Sequence, residues 1–292
     1  MALETDHFAM SDEQGQREPP LVALMRKQRA WATLEARAVD PKGYLDSVEA
    51  NLWRSLSDFS RTAFEKGSGS ELKRKMRALH SSSALAVNFF DYWTTAEPTT
   101  LMHLLELDSP ASAIRFEAQH PTGLQGTPPN LDVCVVLESG HTVAIESKFT
   151  EWLTRKRFRD DPFKAKYFPP AQELWTSRGL PACQFLASDM QSRHQSFLHF
   201  DAPQMLKHAL GLATQLGSRF SLWYVYFDCE CPESDIHKAE IRRFADRVGA
   251  EIRFKVLTYQ ELFRRLKSAG SSIDRAYVSY LQRRYFAPSE IG

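Results

Sequence analysis

The sequence predicts an α/β fold with a mixed central sheet flanked by helices, and three observations carry that expectation. Apolar residues in the front third recur at three- and four-residue intervals; the middle holds short alternating or β-branched runs; the back alternates helical and strand-like stretches. At 292 residues, 43% hydrophobic and 12% aromatic, the chain has enough apolar side chain to bury a sizeable core.

The elements follow in order. Residues 1 to 19 are polar, end in Glu18-Pro19-Pro20 and show no period, which predicts a flexible leader. From Leu21 to Phe64 the spacing of Leu24, Trp31, Leu34, Tyr44, Val48, Leu52, Leu56 and Phe59 predicts amphipathic helices, broken near Asp40-Pro41-Lys42-Gly43. A Gly/Ser loop after Lys66 precedes another helix, expected from Glu71 to Trp93. Residues 20–110 thus read as a helical N-terminal extension packed on an α/β core at 111–292. That core opens with a three-strand meander: Ala113 to Gln119 alternates, Leu131 to Leu137 is β-prone, and Thr142 to Glu146 follows the Ser139-Gly140 turn. Residues 152–203, rich in Arg, Lys, Phe, Tyr and Pro, read as an irregular insertion with a short helix around Ala171 to Trp175. Gln204 to Leu216 has a broad apolar helical face, and Phe220 to Phe227 is apolar throughout, as in a strand buried on both faces. A helix from Ser234 to Val248, a strand from Glu251 to Leu257 and a helix after Thr258, started by the capping box Thr258-Tyr-Gln-Glu261, complete the tail.

Composition narrows the function classes. Lys plus Arg number 37 against 36 Asp plus Glu, so any nucleic-acid affinity must come from local patches rather than net charge. Cys134, Cys183, Cys229 and Cys231 match neither zinc-knuckle nor iron–sulfur spacing and read as reduced thiols. The N-terminus is acidic and polar where a signal peptide would be basic and then apolar, and no stretch is long and apolar enough to span a bilayer. A cytoplasmic protein is expected.

The chemistry concentrates in Ala-Ile-Glu146-Ser-Lys148, which ends an apolar β-type run downstream of Pro129-Asn130-Leu131-Asp132. Hydrolysing a phosphodiester requires an activated water and stabilisation of negative charge, which a divalent cation held by carboxylates can provide. Glu146 and Lys148, two positions apart on a strand, project from one face, and the Ser147 carbonyl between them is a further oxygen donor. Asp132 reaches Glu146 if the two strands pair through Ser139-Gly140, and Glu117 on the strand before is a third carboxylate, able to bind metal directly or through water. Lys148 is expected to orient water or offset charge, so that removing it reduces catalysis more than metal affinity.

Asp132 followed by Glu146-Ser147-Lys148, in a helix, three-strand, helix, strand order, resembles the PD-(D/E)xK nucleases with their restriction-endonuclease-like fold. Pro129 stands three residues before the aspartate, where the family's proline is usually adjacent. Gln204 with His208 is similar to the family's QxxxY element, histidine replacing tyrosine. The resemblance spans Ser81 to Phe227 and implies a Mg²⁺-dependent DNA endonuclease, with Mn²⁺ as substitute, acting in restriction or defence. It makes Asp132 and Glu146 metal ligands, Lys148 the catalytic lysine, Glu117 an accessory acid and Gln204 a positioning residue. Cutting both strands of a duplex needs two sites, hence the expectation of a homodimer.

The competing reading makes Glu146 and Lys148 a solvent-facing pair on an edge strand, with Asp132 in a turn. The apolar residues before Glu146 and the run Leu131 to Leu137 oppose it. Two rival functions use the same residues: a nucleic-acid- or protein-binding module that does not cut, and a sugar hydrolase using Asp132 and Glu146 as acid and base, which has no need of Lys148 or a cation. Arg155, Lys156, Arg157, Lys164 and Lys166, interspersed with aromatics, are the candidate DNA contacts. The basic run from Lys73 to Arg77 reads as a charged helix face; Ser81 to Ser83 and Asn88 either cap and pack or line the cleft; His194 and His199 read as surface histidines.

Overall fold

In the computed structural model, residues 18–67, 70–156, 161–269 and 273–286 are described. Four helices lead the chain: α1 (Pro20–Leu34), α2 (Asp58–Lys66), α3 (Ser82–Phe90) and α4 (Thr99–Leu105). Proline within the first turn favours α1, while Ser57 and Ser81 cap α2 and α3 by accepting from the Ser60 and Ala84 backbone N–H groups. Two stretches of the expected helices are not α-helical. Tyr44 to Leu56 is held by isolated bridges and a short 3₁₀ turn, and Glu71 to Arg77 is a run of turns ahead of Ser81. Their apolar residues still reach the core, because Leu45, Leu52, Leu56 and Met76 are all buried. A helical period was satisfied there by burial without a helix.

The sheet has five strands in the order β1 (Ala111–Gln119), β2 (Asn130–Leu137), β3 (Thr142–Lys148), β4 (Phe220–Tyr226) and β5 (Lys255–Thr258). The first three form an antiparallel meander, and β4 and β5 extend it in parallel, giving the restriction-endonuclease-like mixed sheet. All seven residues of β4 are buried, as its continuous apolar character requires. The crossovers carry α5 (Pro181–Gln191), α6 (Ala202–Leu216) and α7 (Pro232–Ile252), then α8 (Tyr259–Ser268) and α9 (Arg275–Leu281) finish the chain. Helix α7 runs on through Glu251 and Ile252, which shortens the expected last strand. Thr258 caps α8 through the Glu261 N–H at 3.1 Å, but the Glu261 carboxylate pairs with Arg265 instead of closing a box.

The described residues of the segment at 152–203 are anchored to the core. They include α5, and Trp152 and Trp175 are buried with their indole N–H groups donating to the Phe227 and Leu206 carbonyls. At the other end of the chain, Tyr277 donates to the Asn88 carbonyl and Arg284 donates to the Leu79 carbonyl and Asn51 Oδ1. Asn88, buried and bonded to Trp53, Asn51 and Tyr285, therefore packs rather than lines the cleft. Among the described residues, no helix is long and apolar enough to cross a membrane, and the four cysteines are free thiols.

Helix α6 approaches the chain beyond β1 closely at Gly211: a Cβ there would lie 2.2 Å from the His120 carbonyl oxygen. Since backbone cannot yield as a side-chain tip does, Gly211→Ala is expected to destabilise by about 1–3 kcal/mol, read as a lower urea midpoint. An unchanged midpoint would show that α6 can move away without loss.

Candidate active site

The site sits where the antiparallel half of the sheet meets the parallel half. Val133 pairs with Ile145, so the next position outward brings Asp132 beside Glu146. Phe116 pairs with Val133 and Ala118 with Leu131, which sets Glu117 beside Asp132 on the other side. Three carboxylates thus form a transverse row across β1, β2 and β3. Glu117 has φ of +50°, a conformation costly for a side-chain-bearing residue in a strand, and such local strain commonly marks a functional position.

A cavity of about 450 Å³ is lined by Glu117, Asp132, Glu146, Lys148 and Gln204 together. Asp132 Oδ2 accepts the Ser147 backbone N–H at 2.7 Å, tying the start of β2 to the end of β3. Lys148 Nζ donates to Glu146 Oε1 at 2.5 Å, and Glu146 is only 1% exposed. The edge-strand reading fails here, since β3 lies between β2 and β4 and Glu146 is internal. Ser147 faces the other way, its hydroxyl sharing a 2.6 Å hydrogen bond with Tyr259.

Gln204 and His208 rise from the first turns of α6, whose start is fixed by Asp201 accepting the Gln204 N–H. His208 is buried, with Nε2 3.0 Å from Glu146 Oε2, close enough for an ion pair but outside the alignment of a hydrogen bond. The histidine standing where the motif expects tyrosine therefore faces the central carboxylate.

Electrostatics separate the acids. Burial would raise the Glu146 carboxyl, but the charges of Lys148 and His208 overcome it and hold it at about 2. Burial also works against the Lys148 ammonium, yet Glu146, Glu151 and Asp132 push it well above the usual lysine range. Asp132 is raised well above its usual range, first by burial and then by the Glu146 charge. Glu117 is lifted to about 7 by burial, opposed by the hydrogen bond from Asn130 and aided by Glu71 and Glu146.

Ser81, Ser82 and Ser83 line the cavity, one of the two readings open from sequence, whereas Glu71, His80 and Glu151 were not foreseen there and Lys75 was read as part of a charged helix face; Lys75 pairs with Glu71 at 2.8 Å, and the Ser83 hydroxyl donates to the other Glu71 oxygen at 2.7 Å. The spacing of Glu71 and Lys75 in a charge-rich stretch looks like an ordinary helix face, which hid their part in the cavity. Other expectations need correction. His199 is buried, its Nδ1 2.7 Å from the Trp152 carbonyl, whereas His194 is exposed. Among the basic residues, Arg155 and Lys164 are exposed, but Lys156 is ion-paired to Asp201 at 2.6 Å and Lys166 donates to the Gln125 carbonyl. Arg157 lies outside the described residues.

The family model for restriction endonucleases associating with ARP, REase-ARP, matches residues 26–286. The chain belongs to the REase-ARP family. The REase-ARP match begins within α1 and ends at the turn after α9, so it takes in the helical front and the tail that the motif resemblance left out. No curated protein and no solved structure matches the chain.

Proposed function

We propose that this REase-ARP protein hydrolyses phosphodiester bonds of DNA in a Mg²⁺-dependent reaction, with Mn²⁺ able to substitute. The observation that carries the reading is the meeting of Asp132, Glu146 and Lys148 in one open cavity, from a sequence pattern that spaces them over two strands. The donor chemistry suits a hard cation. The Glu146 charge raises both Asp132 and Glu117, and Glu146 Oε2 is buried without a hydrogen bond. Among the described residues, no three His, Cys, Asp or Glu side chains are already disposed to hold an ion, so the proposed set is two carboxylates, Asp132 and Glu146, with the Ser147 carbonyl. When bound, Mg²⁺ would supply Lewis-acid stabilisation of charge on the phosphate and its leaving oxygen.

The chain's own groups account for the rest. Lys148 keeps its proton and presents a positive charge beside the reacting phosphate. Glu117, poised at about 7, can take a proton from water at neutral pH. Gln204, on the cavity wall, would orient phosphate or lysine. Arg155 and Lys164 are the exposed cations offered to DNA outside the cavity, and a homodimer would supply the second cut of a duplex.

The test is cleavage of plasmid and single-stranded DNA by the purified protein. Activity is expected with Mg²⁺ or Mn²⁺, none in EDTA, and none for Asp132→Ala. Cleavage that persists in EDTA or in Asp132→Ala would overturn the proposal. The non-cutting module draws support from the internal bonds of Asp132, Glu146 and Glu117 to Ser147, Lys148 and Asn130. Calorimetry showing no Mg²⁺ binding while DNA still binds would favour it.

A further inference from the structure

We propose that the turn carrying Lys73, Arg74 and Lys75 grips backbone phosphates of DNA entering the active site; the inference rests on the nuclease reading and deepens it by naming where the substrate is held. The stretch is not the charged helix face that its spacing suggests. It is a run of turns ending in a short 3₁₀ segment, Lys75–Arg77, with Lys73, Arg74 and Lys75 all exposed and Met76 buried beneath them. Arg77 is turned inward, donating from Nε to the Leu45 carbonyl at 2.7 Å.

The turn stands at the rim of the catalytic cavity. Lys75 and Tyr44 line that cavity together with Asp132 and Glu146, and a β-bridge joins Tyr44 to Ala78 just beyond the turn. Electrostatics agree with this placement: the hydrogen bond to Glu71 overcomes burial and raises Lys75 above the usual lysine range, aided by the charges of Glu71, Glu117 and Asp132. Lys73 and Arg74 have no carboxylate partner among the described residues, and the Arg74 guanidinium lies 5.7 Å over the Tyr44 ring. Carboxylates outnumber ammonium groups on the cavity wall, so a polyanion approaching it is repelled unless cations outside offset that charge. Lys73 and Arg74 supply them on the approach. Charge complementarity and continuity with the cavity name the occupant, a phosphate chain that crosses the rim and runs on to the carboxylates.

The turn is fixed in advance of any ligand. Buried Asn51 donates from Nδ2 to the Met76 and Ala78 carbonyls, both at 2.8 Å, and its own Oδ1 accepts from Arg284 at 2.8 Å. The Arg74 N–H donates to the Ser70 carbonyl at 2.9 Å, and the Leu79 N–H to the Gly43 carbonyl at 2.9 Å. A buried amide that holds the backbone under an exposed basic turn gives the cations a rigid base, so less conformational freedom is lost when they close on phosphate.

The test follows binding of a labelled DNA duplex to the full chain by fluorescence anisotropy, with Ca²⁺ in place of Mg²⁺ and over a range of salt. Lys73→Ala/Arg74→Ala is expected to weaken binding about tenfold or more and to lower the slope of log Kd against log salt by about 0.9 for each cation removed. Both positions are exposed, so the fold is kept. Arg242→Ala/Arg275→Ala removes the same charge from exposed positions on α7 and α9 outside the cavity lining, and should bind within about twofold of the unsubstituted chain. Lys73→Arg/Arg74→Lys keeps both charges and should keep the affinity and the slope. Wild-type binding by the first variant, equal weakening in the second, the loss of binding in the third, or no DNA binding by the unsubstituted chain would overturn the proposal. Polyglutamate bound as tightly as DNA, and lost through the same two alanines, would point to an acidic protein and overturn it too. Cleavage by the unsubstituted chain in Mg²⁺ judges the nuclease reading separately, since a chain that holds DNA through this turn but does not cut keeps the phosphate contact and loses the parent reading.

Discussion

Replacing Lys148 with alanine is expected to slow DNA cleavage by about 10²–10³-fold and to cost about 3–5 kcal/mol of stability. The stability cost arises because Lys148 Nζ is the 2.5 Å partner of a carboxylate that is 1% exposed. Removing the ammonium leaves Glu146 with His208 alone, and an uncompensated buried charge is far costlier than the loss of a surface ion pair. The pH dependence follows from sign. Glu146 ionises at about 2 in the folded chain against 4.5 ordinarily, so its contribution is present above about 4.5 and fades as pH falls toward 2. In Lys148→Ala that depression weakens, and the variant should approach the wild type in stability as the solution is acidified. Single-turnover cleavage, Mg²⁺ calorimetry and urea midpoints at pH 8 and pH 3 read the three effects. Metal affinity should change least, since the ammonium is not a ligand. Full cleavage by the variant would remove Lys148 from the chemistry, and an unshifted midpoint would mean that the ion pair adds nothing to the fold.

The site was legible because its spacing is a property of strands. Two residues on one face of β3 and an aspartate across a tight turn follow from alternation alone, and the register of β2 with β3 delivers that juxtaposition. Helix boundaries were less legible. Tyr44 to Leu56 and Glu71 to Arg77 carry a helical spacing of apolar residues, yet what holds them is tertiary: Arg284 and Tyr280, at the far end of the chain, donate to Asn51, whose amide in turn donates to the Met76 carbonyl. No local window contains those partners. Helix α5 was overlooked for the opposite reason. Pro181 and the aromatic-rich approach to it look like loop chemistry, although proline in a first helical turn is favourable. The contributions of Glu71 and Lys75 depend on the front third folding over the sheet edge, which no short motif encodes, whereas His208 stood in the QxxxY-like element and faces Glu146 from α6.

Glu117→Gln should separate stability from activity most sharply. The folded carboxyl ionises at about 7 against an ordinary 4.5, so the native state binds its proton more tightly than the unfolded chain does. That contribution is complete below about pH 4.5 and is lost as pH rises through about 7, leaving an ionised, half-buried carboxylate whose cost is about 3 kcal/mol. Glutamine keeps an oxygen able to accept from Asn130 Nδ2, now at 2.5 Å, and carries no charge to repel Glu71 or Glu146. The metal-free variant is therefore expected to be more stable than wild type at pH 8 by about 2–3 kcal/mol and nearly equal to it at pH 5. Cleavage should fall in the same variant, because a carboxamide neither takes a proton from water nor offsets a cation. Added Mg²⁺ at pH 8 should then stabilise wild type more than Glu117→Gln, since ligand binding raises stability in proportion to its affinity. Urea midpoints at the two pH values, with and without the ion, make the comparison directly. A variant less stable than wild type at pH 8 would show that Glu117 is held ionised by contacts that outweigh its burial, and the row of carboxylates would then lack the strain that a bound cation is proposed to relieve.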